Sequence, residues 1–280
     1  MPLEQILGID HVVIAVRDLD AAAAGWRKLG FTVSPRGTHS AHMGSANYTI
    51  VFGEDYIELL GVLHETEHNR PLVAFLEKRE GIERAAFKAR NAAAGVAELQ
   101  AGGIHAGGPL SFERPVDLPN GGKGAARFNI LTWPAEEAPG GLGIFACEHL
   151  TPEMVWIPQL QSHANGAAGL RQIEIVSDVP GEDAAHMGRL IDRPVQKTED
   201  GYRVSSGNHI GFLYYDAGRF EHRYPEAIRR ETPAKGAVAL VIGCSDLAKA
   251  SAGQGMTKHN NAVIAPARIA NGVIINFVPA

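Results

Sequence analysis

Short apolar runs, each followed by a helical stretch, give the chain its most regular pattern. Residues 9–16 are β-branched and apolar, which favours a strand. The alanine-rich segment AAAAGWRKLG follows, with Asp18 and Asp20 as candidate helix caps and Gly30 at its end. Three further strand-like runs come next, with the sequences FTVSP, NYTIVFG and DYIELLGV. The pattern therefore predicts a β-α-β-β-β unit.

The same unit recurs three more times. The later copies begin at GIERAAFKA, GLRQIEIVS and GAVALVIGCSD. Fourfold recurrence indicates a fold more strongly than a single motif does. One unit leaves a curved sheet with an open concave face, and two units close that face into a cleft. We therefore predict an α+β fold of four βαβββ modules paired into two half-barrels. Modules 1 and 2 occupy residues 1–156, and modules 3 and 4 occupy residues 168–280.

Composition excludes several classes of protein. The 280 residues are 45% hydrophobic and 20% charged, which is typical of a globular protein. The net charge of −5 gives no reason to expect a nucleic-acid partner. The apolar runs AVALVIG and GVIINFV are too short to cross a membrane, and no signal peptide is evident. Two cysteines, Cys147 and Cys244, make no disulfide framework, so a reducing, cytoplasmic location is expected.

His11 and Glu58 are the first candidates for chemistry. Strict alternation along the first strand puts His11 on one face with Ile9 and Val13. A lone histidine there is most often a hydrogen-bonded core residue. Glu58, in the apolar run YIELL, needs a charged or metal partner if it is buried. The pair therefore favours metal binding or polarisation of a substrate, with the core histidine as the alternative.

Polar side chains elsewhere in the first half supply further candidates. The loop THSAHMGSAN contains His39 and His42, which are candidates for a ligand, a general base or a contact to a substrate carboxylate. Asn47 begins the next strand and is assigned with His39 to substrate binding. Arg84 and Lys88 share a strand face, and if that face lines the cleft they favour an anionic substrate. The alternative for each residue is ordinary exposure to solvent.

Two sets of segments carry a resemblance to known proteins. The paired units, the opening DHVVIAVRDLDAA and the later YIELL resemble the vicinal oxygen chelate superfamily, which includes glyoxalase I, extradiol dioxygenases and antibiotic-resistance proteins. The segment HMGSANYTIVFGEDYIELLGV, followed by FACEHLTPEMVWIPQLQSHANGAAGL, is similar to glyoxalase-like domain proteins. The superfamily resemblance covers nearly the whole chain, and the narrower one covers about residues 8–177.

The resemblance implies a divalent metal ion, with Zn, Ni, Mn or Fe as candidates, in the cleft of paired modules. Its ligands come from the first and last strands of each module. His11 and Glu58 match these positions in module 1. In module 2, Arg84 occupies the first-strand position and cannot bind a metal. The last strand offers Glu148 or, in another register, Phe145. We predict Glu148 as the third ligand.

Alternatives for the third ligand are His42 and His149. The second half offers no ligand set, because its corresponding positions are Gln172, Tyr214 or Tyr215, Ala239 and Asn276, and it is interpreted as a degenerate copy.

These residues lead to two main functional hypotheses, while a third, an interaction or scaffold role with both barrels degenerate, is disfavoured by the His11–Glu58 pair. The first is a metal-dependent lyase, isomerase or dioxygenase that acts on a small oxygenated substrate in the N-terminal cleft, with Glu58 and His42 as catalytic residues. The second is a metal-free, resistance-type protein that binds a small molecule in the same cleft. Both hypotheses predict a small-molecule partner, no nucleic acid and no membrane, and both leave a homodimer open.

Overall fold

The architecture is the predicted one, four βαβββ modules paired into two halves. It is described from a computed structural model covering residues 3–118 and 121–280. The first half comprises β1 (Ile6–Ala15), α1 (Leu19–Lys28), β2 (Gly37–Thr38), β3 (Ser45–Val51), β4 (Tyr56–Val62), α2 (Arg70–Lys78), β5 (Gly81–Ala89), α3 (Ala92–Ala101), β6 (Gly107–Asp117), β7 (Lys123–Thr132) and β8 (Gly143–His149). Short 3₁₀ turns at Pro139–Gly141, Pro152–Met154 and Pro158–Leu160 flank β8 and lead to the second half.

The second half repeats this order. It comprises β9 (Ala167–Val176), α4 (Pro180–Leu190), β10 (Val195–Thr198), β11 (Gly201–Ser205), β12 (Gly211–Tyr215), α5 (Ala217–Arg223), α6 (Glu226–Arg229), β13 (Gly236–Cys244), α7 (Leu247–Ser251), β14 (Thr257–His259), β15 (Ala262–Ala265) and β16 (Ile274–Pro279). None of the helices in the described ranges has the length and apolar character needed to span a bilayer.

Each half forms one eight-stranded mixed sheet. The strand order is β2-β3-β4-β1-β5-β8-β7-β6 in the first sheet and β10-β11-β12-β9-β13-β16-β15-β14 in the second. The first and last strands of a module run parallel, and the two modules join through the antiparallel pair β1–β5 or β9–β13. In the first sheet the edge strands β2 and β6 contact each other, so the sheet curls round to enclose its concave face.

Three predicted segments differ from the structure. FTVSP is not a strand, because β2, the strand that pairs with β3 on this side, begins only at Gly37. Phe31 and Val33 of this segment pack into the core. In the Gly- and Pro-rich residues 109–124, residues 109–117 belong to β6 and residues 123–124 to β7, which pairs with β6 in antiparallel fashion, and residues 119 and 120 lie outside the described ranges. Helices α2, α5 and α6 are additions in the connections between modules.

One large hydrophobic core joins the two halves. It takes residues from both sheets, and the rings of Phe87 and Phe212 lie 6.0 Å apart across it. The indole nitrogen of Trp133 also donates a hydrogen bond to the carbonyl of Leu190 in the second half. A boundary between independently folding domains near residues 157–167 stays a prediction.

The concave faces of the two halves are filled differently. In the second half, Phe220 of α5, Ile228 of α6 and Tyr224 between them pack onto Leu213 and Ala239 of the sheet. This packing fills the face with side chains. In the first half, α2 packs to one side through Leu72 and Leu76, and the rest of the concave face remains a cavity.

Asp55 joins the halves and is expected to make stability depend on pH. Its carboxylate accepts a hydrogen bond from the Leu170 backbone N–H (2.9 Å) and lies 3.2 Å from His209 Nε2. Burial raises the pKa of Asp55 to about 6, although the bonds to Leu170 and His209 oppose this. Because the folded pKa lies above the unfolded one, the stabilisation is complete below the unfolded pKa and is lost as the pH rises through the folded pKa.

We therefore expect the free energy of unfolding to fall between about pH 4 and pH 6, by at most about 3 kcal/mol. Asp55→Asn keeps the hydrogen-bond acceptor for Leu170 and removes the titrating group. The decrease in the free energy of unfolding that Asp55 causes between about pH 4 and pH 6 should therefore be absent in this variant. Urea unfolding from pH 4 to pH 8 measures it, with Asp178→Asn at an exposed site as the control. An unchanged pH dependence in Asp55→Asn would contradict the assignment.

Candidate functional site

A cavity of about 550 Å³ occupies the concave face of the first half. This volume is within the range of small-molecule sites. Its apolar wall includes Leu60, Leu72, Phe75, Leu110, Phe112, Phe128, Ile130, Trp133 and Phe145. Its polar groups include His11, His39, Asn47, Glu58, Arg84 and Arg114. All the lining residues lie between positions 11 and 147, which places the cavity wholly in the first half.

His11 presents one ring nitrogen to this cavity and uses the other to bind Asp10. Its Nδ1 lies 2.7 Å from Asp10 Oδ2, and its Nε2 lies 3.7 Å from Glu58 Oε2. The imidazole stacks on Tyr56, with ring centroids 4.2 Å apart and an interplanar angle of 15°. Phe145 meets the ring edge-on at 5.5 Å. These contacts fix the orientation of the ring, so Nε2 is the atom available to a ligand.

Asp10 determines which nitrogen of His11 carries the proton. It is fully buried, and its Oδ2 also lies 2.9 Å from His149 Nε2. Burial raises the pKa of Asp10, but the bonds from His11 and His149 outweigh it and hold that pKa well below its usual range. An ionised carboxylate only accepts hydrogen bonds, so His11 donates through Nδ1–H. The neutral imidazole therefore has its lone pair on Nε2, in the cavity.

Glu58 carries the negative charge of the site. Its Oε1 accepts a hydrogen bond of 2.6 Å from the Asn47 side chain. Burial raises the pKa of Glu58, but His11, His39 and Asn47 together lower it below the usual value. Glu58 is therefore ionised and weakly basic at neutral pH. A proton accepted by His11 would create an imidazolium between two carboxylates, Asp10 and Glu58.

The remaining predicted residues divide between the cavity and its surroundings. His39 lines the cavity, its Nδ1 lies 2.8 Å from Ser45 Oγ, and burial lowers its pKa. Asn47 and Arg84 line it too, and the Arg84 guanidinium is bonded to the adjacent Glu83 carboxylate. The structure thus brings five predicted residues, His11, Glu58, His39, Asn47 and Arg84, to one cavity.

Glu148 is not a cavity residue, contrary to the prediction of a third ligand. Phe145 and Cys147 point into the cavity, so alternation along β8 turns Glu148 to the opposite face. There its Oε2 accepts hydrogen bonds from the Ala92 backbone N–H (3.0 Å) and from Asn129 Nδ2 (3.1 Å). Glu148 thus binds the first turn of α3.

His42 also lies away from the cavity. It is exposed on the loop before β3, with its ring 5.3 Å from that of His68. His149 is committed to Asp10. The predicted sharing of one face by Ile9 and His11 is wrong as well, because the β1–β5 register shifts between them and Ile9 joins the main core.

Sequence reasoning missed three functional candidates, Asp10, Tyr56 and Arg114. The available signal for Asp10 was an aspartate directly before His11 in an otherwise apolar strand. Strict alternation assigns neighbours to opposite faces, but a register shift can bring two consecutive side chains together. Arg114 lies in a Gly- and Pro-rich segment with no clear strand pattern, so its place on β6 was not evident.

Strand register tests whether the metal implied by the resemblance fits this chain. His11 stands three residues after Gly8, as Arg84 stands three after Gly81, and both glycines have positive φ. Val13, two residues after His11, pairs with Glu58, and the corresponding Ala86 of module 2 pairs with Phe145.

In module 2, the positions that correspond to His11 and Glu58 are therefore occupied by Arg84 and Phe145. Neither side chain can bind a metal. Within residues 3–118 and 121–280, no group of three His, Cys, Asp or Glu side chains is arranged to hold an ion. The donor set of the cavity thus does not fit the implied metal. In the second half the same register puts Leu213, rather than Tyr214 or Tyr215, at the position of Glu58.

Comparison with known proteins identifies the family. The model of the glyoxalase-like domain family matches residues 9–191, and the chain belongs to this family. The fold is that of the vicinal oxygen chelate superfamily. No curated protein sequence matches the chain.

Two solved structures match over nearly the full length. A hypothetical protein from Staphylococcus aureus has a TM-score of 0.70 at 14% identity, covering 97% of this chain and 99% of that one. A triple mutant of 4-hydroxymandelate synthase from Streptomyces coelicolor has a TM-score of 0.59 at 13% identity, covering 99% and 92%. Methylmalonyl-CoA epimerase from Mycobacterium tuberculosis matches 53% of this chain and 91% of its own, with 22% identity and a TM-score of 0.40.

Proposed function

We propose that this protein is a glyoxalase-like isomerase or lyase that moves a proton within a small oxygenated substrate, with His11 as the general base. The observation that carries the proposal is the orientation of His11, whose Nδ1 is held by Asp10 while Nε2 faces the cavity. Positioned proton transfer by histidine is a common catalytic device in enzymes.

The reaction we propose begins with a carbon acid next to a carbonyl group. His11 Nε2 accepts the proton, and the electron pair left on carbon moves toward the carbonyl oxygen. The imidazolium lies between Asp10 and Glu58, whose negative charges stabilise it. The imidazolium then delivers this proton to a different atom of the substrate, which completes an isomerisation. Alternatively it first exchanges the proton with water and delivers a solvent proton to the same carbon, and either way the neutral base is regenerated.

Metal-dependent chemistry, including dioxygenation, is less well supported. It needs at least three protein donors and an open coordination position on the metal. Of the four strand positions that the resemblance implies, two hold possible donors, His11 and Glu58, and the other two hold Arg84 and Phe145, which cannot bind a metal. A metal-free binding protein is the second candidate. Arg84 and Phe145 also support this candidate, because a protein that only binds a small molecule does not need a complete set of metal ligands.

Exchange of substrate protons with D₂O tests the proposal. A panel of 2-oxo acids, 2-hydroxy ketones and aldehydes is incubated with the purified protein and followed by ¹H NMR. We expect exchange next to the carbonyl group of at least one class. Glu58→Gln should slow it by about tenfold to a hundredfold, because the imidazolium loses one of its two carboxylates. His222→Asn, on the exposed face of α5, is the control.

Metal analysis separates the candidates. We expect less than one equivalent of metal and no loss of exchange in EDTA. One equivalent of a divalent ion, with exchange abolished by EDTA, would overturn the metal-independent mechanism and restore the metal-dependent hypothesis. Ligand binding without any exchange would leave the binding protein as the function.

A further inference from the structure

Arg114 is a buried arginine that has no carboxylate at ion-pair distance in residues 3–118 and 121–280. It is 8% exposed, lies on β6 and lines the cavity. Among the residues that the structure describes, no carboxylate forms an ion pair with it and no group accepts a hydrogen bond from its side chain. Arg84 on β5 of the same module differs, because Glu83 already neutralises it. An unpaired buried charge is costly, so its retention beside a cavity indicates an anion from outside the chain.

The surroundings leave room for the Arg114 side chain. A Cβ atom on Gly37 would lie 3.0 Å from Arg114 Nη1 and 2.3 Å from Asn47 Oδ1. Gly37 therefore allows the guanidinium and the amide to lie side by side against β2. The Asn47 amide also donates a hydrogen bond to Glu58 Oε1, so Arg114 lies at the polar end of the cavity that holds His11.

An apolar surface extends from Arg114 along the same strand. Leu110, Phe112 and Arg114 alternate along β6 and all line the cavity. Phe112 stacks on Phe128 of β7 with ring centroids 4.9 Å apart, and Leu110 is half-exposed at the rim. Four residue steps of strand span roughly 13 Å, which is long enough for a small arylalkyl group to lie along it. The arrangement offers one cationic end and one apolar side.

We propose that the ligand is a small monocarboxylate with an aromatic or aliphatic body, and that Arg114 binds its carboxylate. The planar guanidinium matches a carboxylate with two parallel hydrogen bonds, while Phe112 and Phe128 contact the body. The proposal rests on the proposed function in that the carboxylate would hold the reacting carbon near His11. Arg114 is a specificity residue and takes no part in proton transfer.

Equilibrium binding tests this without requiring turnover. The probes are 3-phenylpropanoate, its neutral amide and 2-phenylethylphosphonate, each titrated by calorimetry into the wild-type protein, Arg114→Met, Arg114→Lys and the control Arg127→Met. Arg127 lies on the exposed side of β7 and pairs with Glu113. We expect the carboxylate to bind the wild type at least about tenfold more tightly than the amide. Arg114→Met should abolish this preference and leave the amide unaffected, and Arg114→Lys should retain part of it.

The stability of the ligand-free protein gives a second readout. If Arg114 serves a ligand, Arg114→Met should be at least as stable as the wild type, because an unpaired buried charge is removed. A marked fall in Tm would indicate a structural role and overturn the proposal. So would equal binding of acid and amide, absence of binding by either probe, or tighter binding of the phosphonate. Carboxylate preference without proton exchange would refute only the enzymatic function, and exchange without carboxylate preference would refute only the role of Arg114.

Discussion

Glu174→Ala is expected to lower the free energy of unfolding by about 3–5 kcal/mol. Glu174 is fully buried in the second half, where the Arg223 guanidinium binds it at 2.7 Å. Its carboxylate also accepts hydrogen bonds from Tyr215 OH (2.8 Å), Tyr224 OH (3.0 Å) and Gln172 Nε2 (2.9 Å). Removal of the carboxylate leaves the arginine charge and three buried polar groups without their acceptor.

Urea unfolding of Glu174→Ala and of a matched control measures the effect. Glu221→Ala breaks an exposed pair with Arg229, so its cost should stay below about 1 kcal/mol. The double variant Glu174→Leu with Arg223→Met should recover much of the loss, since it removes both charges together. A cost for Glu174→Ala no larger than that of the surface control would show that this network does not stabilise the second half.

The Glu174 network and the side chains packed on it occupy the place in the second half that corresponds to the cavity of the first. The positions of His11, Glu58 and Arg84 are occupied there by Gln172, Leu213 and Ala239. Phe220 and Ile228 pack against Leu213 and Ala239, and Glu174 accepts a hydrogen bond from Gln172. The interpretation of this half as a degenerate copy therefore has a physical basis in packing.

The sequence predicts the fold well because the modules repeat. A glycine with positive φ lies within the first three residues of the first strand of every module, at Gly8, Gly81, Gly169 and Gly236, and each is followed by an apolar run. His11 and Glu58 meet because the first and last strands of a module are parallel neighbours, which depends only on the order of elements. Their meeting could thus be predicted without side-chain detail.

Features that depend on register could not be predicted in the same way. Counting five residues from the preceding glycine, as from Gly53 to Glu58, selects Glu148 in β8. The pairing of β8 with β5 instead puts Phe145 at the position equivalent to Glu58. A shift by an odd number of residues turns a side chain to the other face of the sheet. Asp10 was missed because the shift in β1 breaks the alternation that assigned the faces. Both errors concern strand register, by three residues in β8 and by one in β1, which local hydrophobicity does not determine.

Asp10→Asn is expected to reduce proton exchange by about 10²- to 10⁴-fold with little change in fold. Asparagine keeps the size of Asp10, but its amide can donate a hydrogen bond to His11 Nδ1. The imidazole then moves its proton to Nε2, and the lone pair no longer faces the cavity. His11→Asn, which removes the base itself, should cost at least as much.

Nitrogen NMR of ¹⁵N-histidine-labelled protein distinguishes this positioning role from a general loss of structure. The wild type should show neutral His11 protonated at Nδ1, and Asp10→Asn should show the Nε2–H form with an otherwise native spectrum. His149→Gln removes the second partner of Asp10 but keeps a donor within reach of the carboxylate, so it should retain the Nδ1–H form and most of the exchange rate. Full activity in Asp10→Asn, or an unchanged His11 tautomer, would show that Asp10 does not orient the base.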